Sequence, residues 1–466
     1  MKKERIIWAG VVIILISIIV INFSIPGTKA TEDDSRKYLD LFGRVFDSLK
    51  NSYIEKKESR ELIVGAINGM IKTLNDPHTS FLEPKEKENL EIETTGEYGG
   101  LGIEIGIRDN KLTVISPIED TPAEKAGIKS GDRIVKIEGE SVVDPDLGKI
   151  VEKLRGKPQT KVTVSIEREG IDELIDFTIM REVIKIKSVK SDLIDDIAYI
   201  RLISFRKNAS LELKSILSRY INKKKIKGII IDLRNNPGGL LDVAISISDL
   251  FIDKGLIVYT KPREDSLPYY SALNKKFYSQ AAGTIPSNIP IVLLVNHGSA
   301  SASEILSGAI KDHKRGILLG TKTFGKGSVQ SVVNLNDGYG LRYTTAYYYT
   351  PNGTKIHNIG IDPDIELDIP NLSKDEIKEI AKLKEKDLIQ TFLKKNKNPE
   401  KKEIDKFISE IKGNQVNLDE RILNRIIKQE IYRDKKMPLY DLDWDIQLKM
   451  ALDILKSEIS GILNRN

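Results

Sequence analysis

The chain has no cysteine among its 466 residues. That single absence excludes disulfides, thiol nucleophiles, cysteine metal sites and an N-terminal lipid-modified cysteine together. Histidine is nearly as scarce. His78, His297, His313 and His357 are the full set, and no two stand at the helical spacing of a zinc-peptidase motif, so the pattern points away from a metal centre. An excess of either charge is also missing: 73 basic residues face 68 acidic ones, a net charge of +5, which gives no reason to expect nucleic acid as a partner. Neither a Walker motif nor a dinucleotide fingerprint occurs, so no cofactor is expected.

What is present begins with an uncharged run. Ile6 to Ile25 is apolar for twenty residues after the basic head Lys2, Lys3 and Arg5, long enough to span a bilayer with the head on the cytoplasmic side. Residues 1–30 are expected to be a signal peptide or membrane anchor. The small residues around Pro26, Gly27 and Ala30 favour cleavage and the length of the run favours retention. Either outcome puts the rest of the chain at the extracytoplasmic face of the membrane or in a periplasm, anchored or secreted.

The stretch Ile291 to Gln330 carries the chemistry. Ile291 to Val295 reads as a strand buried on both faces. Asn296, His297 and Gly298 break it, and from Ser301 the apolar residues Ile305, Leu306, Ala309 and Ile310 recur at helical spacing. Ser299, Ser301 and Ser303 thus lie where a strand gives way to a helix N-terminus, whose free N–H groups and dipole stabilise an oxyanion. Motif physics does not separate the three serines. Lys326, between Gly325 and Gly327, is available as a base if burial lowers its pKa, and even spacing in an extended chain would put Gln330 on its face. Upstream, Ile226 to Leu233 reads as another buried strand ending in Arg234-Asn235-Asn236-Pro237-Gly238-Gly239. The bare N–H of Gly238 or Gly239 is a natural partner for the Ala302 N–H in an oxyanion hole. The alternation of strands and helices from Ile197 to Ile310 predicts an α/β domain with a parallel sheet and its loops of interest at the C-terminal strand ends.

NHGSASASEI followed by GTKTFGKGSVQ resembles the active-site signature of the carboxy-terminal processing proteases, tail-specific serine peptidases with a Ser/Lys dyad and a PDZ domain. The resemblance implies that Ser301, twenty-five positions before Lys326, is the nucleophile, Lys326 the base, and Gln330 the residue that orients the lysine. It also implies a crotonase/caseinolytic-protease-like core of ββα units with an inserted β-rich PDZ domain and helical N- and C-terminal regions. The LNDPHTSFLEP segment is similar to the family's DPH turn, and His78 in it is read as structural, because the lysine leaves it no catalytic part.

Glycines, short strands and one short helix between Glu91 and Glu182 give a β-rich texture. The order YGGLGIEI, TPAEKAG, GDRI resembles a bacterial PDZ domain. By that resemblance Gly99, Gly100, Leu101 and Gly102 form the loop that receives a peptide's terminal carboxylate. The strand with Ile103 and Ile105 and the helix with Ile150 and Leu154 line an apolar peptide groove. Arg155, just past that helix, is a candidate for coupling the module to the protease.

The expected divisions are 1–30 leader or anchor, 33–90 N-terminal helical region, 91–182 PDZ domain, 183–370 protease core and 371–466 C-terminal helical region, where terminal helices can make homodimer contacts in the family. The expected activity is an exported serine endopeptidase that holds protein C-termini in its PDZ domain and cleaves them. The alternative is a non-catalytic PDZ adaptor that binds C-termini, which would have no need of an intact serine, lysine and glutamine set.

Overall fold

The computed structural model describes residues 35–264, 273–280, 284–369, 372–397, 399–413, 416–433 and 437–463. The expected leader or anchor, residues 1–30, lies outside them. Among the described residues no helix is long and apolar enough to cross a membrane. The described residues divide into two units, one ending at Phe81 and the other beginning at Leu82.

The first unit carries the helices Ser35–Ser52 and Ser59–Lys72. Tyr38, Leu39, Phe42 and Val45 recur at helical spacing on the first of these and are all more than 40% exposed. After the second helix the Asp76 carboxylate accepts the His78 N–H and the Thr79 hydroxyl, an Asx-type turn that explains an Asp-Pro-His sequence without chemistry.

The second unit is built on a six-stranded sheet. Ile197–Leu202, Gly228–Asp232, Ile291–Val295, Ile317–Gly320 and Ile365–Glu366 run parallel in that order, with Val189–Ile194 antiparallel at one edge. Gly228–Asp232 and Ile291–Val295 are buried at every position, which is why Ile229–Ile231 and Ile291–Val295 read as unbroken apolar runs rather than alternating ones. One face packs against the helices Ala209–Arg219, Leu241–Asp249 and Ala302–Asp312. The other face is covered by the last helix, Ile446–Leu463, through Leu448, Ala451, Leu452 and Leu455. A second, antiparallel sheet contains Leu256–Pro262, Lys276–Tyr278, Ser328–Asn334 and Gly340–Tyr349. Four further helices between Lys374 and Ile431 gather around their own core of Leu383, Ile408, Leu423 and Ile427.

Between residues 103 and 180 a separate module folds around Val114, Ile134, Val162, Val164 and Ile166, all at most 2% exposed. Its strands are ordered Ile103–Arg108, Lys111–Pro117, Arg133–Ile137, Lys161–Glu167, Ile175–Met180. It leaves and rejoins the core through a two-stranded ribbon in which Glu97–Gly100 pairs with Glu182–Lys185.

Candidate active site

Six residues, Asn296 to Ser301, carry the chain from the end of Ile291–Val295 into the helix Ala302–Asp312. Two of the three serines at this junction are consumed by it. Ser299 Oγ donates to Leu233 O at 2.8 Å and accepts the Asn296 N–H, and Ser303 Oγ donates to Asn236 O at 2.9 Å. Both are fully buried. Ser301 is half-buried and holds φ 56°, ψ −112°, a conformation that costs a residue with a Cβ of order 1–3 kcal/mol and that functional sites hold under tension. It precedes the helix as its cap, and the Ala302 N–H, at the first helical position, belongs to the first turn, whose N–H groups have no intrahelical carbonyl to bond.

The second loop arrives from the end of Gly228–Asp232. Asn236, fully buried, donates through Nδ2 to Leu202 O at 2.7 Å and accepts the Gly238 N–H through Oδ1 at 2.9 Å. The Gly238 carbonyl takes the Phe205 N–H at 2.9 Å and the Ser204 hydroxyl at 3.0 Å. A trans peptide holds its C=O and the following N–H on opposite sides, so fixing Gly238 O also fixes the direction of the Gly239 N–H. Gly238 has φ +99°, and a Cβ built on it would stand 2.8 Å from Ala302 N and 2.9 Å from Ser301 Cβ. Only a residue without a side chain lets the two backbones approach this closely.

The third segment carries Lys326. Glu304, on the first turn of the helix and fully buried, accepts four donors: the Ser301 N–H at 2.8 Å, the Lys326 N–H at 2.8 Å, the Gly325 N–H at 2.6 Å and the Thr323 hydroxyl at 2.6 Å. The first two meet on the same oxygen, Oε2, so the backbone nitrogens of Ser301 and Lys326 stand no more than two hydrogen-bond lengths apart. Burial pushes the Glu304 carboxyl above the usual carboxylate range, against the four donors that pull it down. The strand that follows, Ser328–Asn334, has a register shift between Val329 and Gln330. Alternation therefore does not carry from Lys326, which precedes the strand, to Gln330, which follows the bulge. The Gln330 amide is tied through Nε2 to Thr344 Oγ1 at 2.7 Å and Ser328 Oγ at 3.2 Å.

At the module, the four-residue loop expected at Gly99 to Gly102 is shorter. Gly99 and Gly100 belong to the ribbon strand opposite Val183 and Glu182, and only Leu101 and Gly102 lie between strands. Their carbonyls are pinned: Leu101 O by the Ala123 N–H at 3.0 Å, Gly102 O by the Ile118 N–H at 2.8 Å and the Thr121 hydroxyl at 3.1 Å. Peptide planarity then turns the Gly102 and Ile103 N–H groups the other way. Ile150 and Leu154, each 6% exposed, are part of the module's core, while Ile103 and Ile105 are half-buried against it. Arg155 stacks over the Tyr98 ring at 4.6 Å, on the ribbon itself. Among the described residues no group of three or more His, Asp or Glu side chains is placed to hold a metal ion.

Residues 196–367 match the model of peptidase family S41, residues 99–179 that of a PDZ domain, and residues 21–86 that of the activating protease CtpB N-terminal domain. A carboxy-terminal-processing protease of Bartonella bacilliformis is 41% identical over 373 residues, covering 79% of this chain and 84% of that one. The chain belongs to the carboxy-terminal-processing proteases of family S41. It is 34% identical to the carboxy-terminal processing protease CtpA of Bacillus subtilis over 355 residues, with 76% and 74% covered. Among solved structures the photosystem II D1 C-terminal processing protease is 30% identical over 71% of this chain and 94% of that one, at a TM-score of 0.42. The protein is accordingly a serine-type peptidase with a PDZ domain.

In a serine peptidase of this family the residues missed by sequence reasoning are those that hold the three segments together. Glu304 was legible as half of a Ser-x-x-Glu capping box, a pattern that predicts the Ser301 contact but not the reach across to Gly325 and Lys326. Asn236 shows only turn propensity in the sequence, and Ser299 and Ser303 stand there as alternatives to Ser301 rather than as supports of the turn.

Proposed function

We propose that the protein is an exported endopeptidase that captures the C-terminal tails of proteins in its PDZ domain and cleaves them with a Ser301/Lys326 dyad. Lys326 Nζ takes the proton of Ser301 Oγ as the oxygen bonds to the scissile carbonyl carbon. The oxyanion that forms lies against the N–H groups of Ala302 and Gly239, the glycine whose N–H is not committed to Asn236. The lysine ammonium returns its proton to the leaving amine, and a water molecule, deprotonated by the same lysine, releases the acyl group. Gln330 steadies the ammonium between the two steps. Gly102 and Ile103 offer their N–H groups to the tail's carboxylate, and the strand edge at Ile103 and Ile105 adds the tail as a further strand. Residues 1–30 deliver the enzyme to the extracytoplasmic face of the membrane.

The observation that carries this reading is the Glu304 Oε2 atom, which joins the backbones of Ser301 and Lys326 at 2.8 Å each. Ser301→Ala and Lys326→Ala should each abolish peptide cleavage with the melting curve unchanged, whereas Ser299→Ala and Ser303→Ala should lower stability and leave turnover in place. Peptides that differ only in their last three residues test the PDZ part: apolar ends should be cleaved faster than charged ones. Substantial turnover by Lys326→Ala would sink the dyad, and equal cleavage of all tails would sink the gating.

A further inference from the structure

The sequence Tyr440 to Leu448, between the C-terminal helical region and the last helix, has no part in the chemistry above, and it lies beyond the matched S41 segment. It nevertheless reaches the oxyanion loop. Arg234 opens that loop, and its guanidinium is 8% exposed with all five N–H groups used. Nε and one Nη2 hydrogen go to the two oxygens of Asp232 at 2.9 and 2.7 Å. The other Nη2 hydrogen and one on Nη1 go to the two oxygens of Asp445 at 2.6 and 2.8 Å. The last goes to Gln447 Oε1 at 3.0 Å. Both carboxylates are therefore bidentate to one planar cation, the strongest form of side-chain pairing.

Asp232, fully buried, also accepts the Tyr199 hydroxyl at 2.7 Å and Arg201 Nη1 at 3.1 Å. Two arginines and two carboxylates leave the cluster neutral, as burial demands. Burial works against the Asp232 charge, and Arg234, Arg201 and Tyr199 overcome it and hold the carboxyl below its usual range. Asp445 has a second task. Its Oδ1 accepts the Leu448 N–H at 2.9 Å, which caps the start of Ile446–Leu463, the helix that covers one face of the core sheet. Gln447 Nε2 in turn donates to Leu367 O, at the end of the edge strand.

We infer that Asp445, assisted by Gln447, is a positioning residue for the oxyanion loop: it locks the Arg234 end of Arg234–Gly239 and so sets the aim of the Gly239 N–H from a segment more than two hundred residues away. The inference rests on the proposed oxyanion hole. A structural brace alone would affect folding; a positioning residue affects the transition state more than the bound substrate, because donors aimed at a developing charge lose their effect with small displacements.

The test uses the full-length protein with a short peptide substrate and a peptidyl boronate, whose tetrahedral adduct on serine places a hydroxyl where the oxyanion would form. Asp445→Asn keeps the helix cap and the shape but removes one charge partner. We expect kcat to fall about tenfold to a hundredfold, KM to change less than about twofold, and boronate affinity to weaken in step with kcat. Gln447→Ala removes one guanidinium bond and keeps both carboxylates. It should give a smaller loss of the same kind, and it decides the matter if Asp445→Asn does not fold. A folded Asp445→Asn, or failing that Gln447→Ala, with wild-type kcat and boronate affinity overturns the inference, as does a loss confined to KM. Wild type and Ser301→Ala run beside them report separately on the dyad: a boronate adduct and turnover that persist in Ser301→Ala would overturn that reading and leave the comparison of kcat between wild type and Asp445→Asn intact.

Discussion

Replacing Gly238 by alanine puts a methyl group in place of a hydrogen where the Arg234–Gly239 loop meets the Ser301 turn. The new Cβ would meet Ala300 O at 2.7 Å, Ala302 N at 2.8 Å and Ser301 Cβ at 2.9 Å, all closer than non-bonded atoms tolerate, and the residue would have to keep φ near +99°. The backbone conformation costs roughly 1–2 kcal/mol. Overpacking adds about 1–3 kcal/mol, so the total is roughly 2–5 kcal/mol against a folding free energy of about 5–15 kcal/mol. The protein should still fold, with its melting temperature lowered by roughly 5–15 °C. Catalysis should suffer far more. The methyl group either occupies the space beside the Ala302 N–H or pushes the loop away from it, and losing one oxyanion donor costs about a hundredfold to a thousandfold in kcat. Gly127→Ala is the control, since Gly127 has φ +91° but nothing within 4 Å of a built Cβ, so it carries the conformational cost without the crowding. Steady-state cleavage and thermal unfolding of both variants decide the question. Gly238→Ala with kcat within about threefold of wild type, whatever its melting temperature, would mean that the loop does not border the reacting atoms.

Glu304→Gln turns one acceptor oxygen into a donor that must face two N–H groups or the Thr323 hydroxyl and the Gly325 N–H. At about 1.5–3 kcal/mol per hydrogen bond to a charged group, it should destabilise the protein by roughly 3–6 kcal/mol and uncouple the Ser301 turn from the Lys326 loop. Calorimetry showing a loss under 1 kcal/mol would contradict that account. Gly102→Ala has φ +78° and a Cβ 2.4 to 2.5 Å from three side-chain atoms of Thr121, so it should distort the two-residue loop. A fluorescent peptide with an apolar C-terminus should bind that variant at least tenfold more weakly, and unchanged binding would remove Leu101–Gly102 from carboxylate recognition.

What could be read from the sequence was what has a local period. Ile291–Val295 and Ile229–Ile231 are apolar at every position because helices cover both faces of a parallel sheet, and the helix after Ser301 shows its spacing of three and four. The glycines of the module were recognisable as a group but not divisible. Gly99 and Gly100 belong to the ribbon because Val183 and Glu182 pair with them across eighty residues, and strand pairing at that separation leaves no local mark. The bulge at Val329 and Gln330 likewise depends on the partner strand Gly340–Tyr349, so a parity argument from Lys326 to Gln330 had nothing in the sequence to warn against it. The three serines could not be ranked for the same reason: Ser299 is occupied by Leu233 and Ser303 by Asn236, both from a distant loop.

The loop Arg234–Gly239 shows why so many distant residues are needed. Two adjacent glycines lose more backbone entropy on ordering than any other pair, a cost of at least 1–2 kcal/mol each, and they bring no side chains to recover it. The order has to come from outside, and it does so at four of the six residues. Asp445 and Asp232 hold Arg234, Asn296 holds Asn235, Leu202 holds Asn236, and Ser204 and Phe205 hold Gly238. The last two lead onward: the neighbouring Lys207 N–H is bonded to Thr94 O, and the Arg206 side chain fills the space beside Gly96, at the start of the ribbon that carries the PDZ module. The fold thus fixes its least constrained residues through the elements on either side, and those bonds take up the freedom that glycine would otherwise keep, which is what the proposed oxyanion hole requires of the Gly239 N–H.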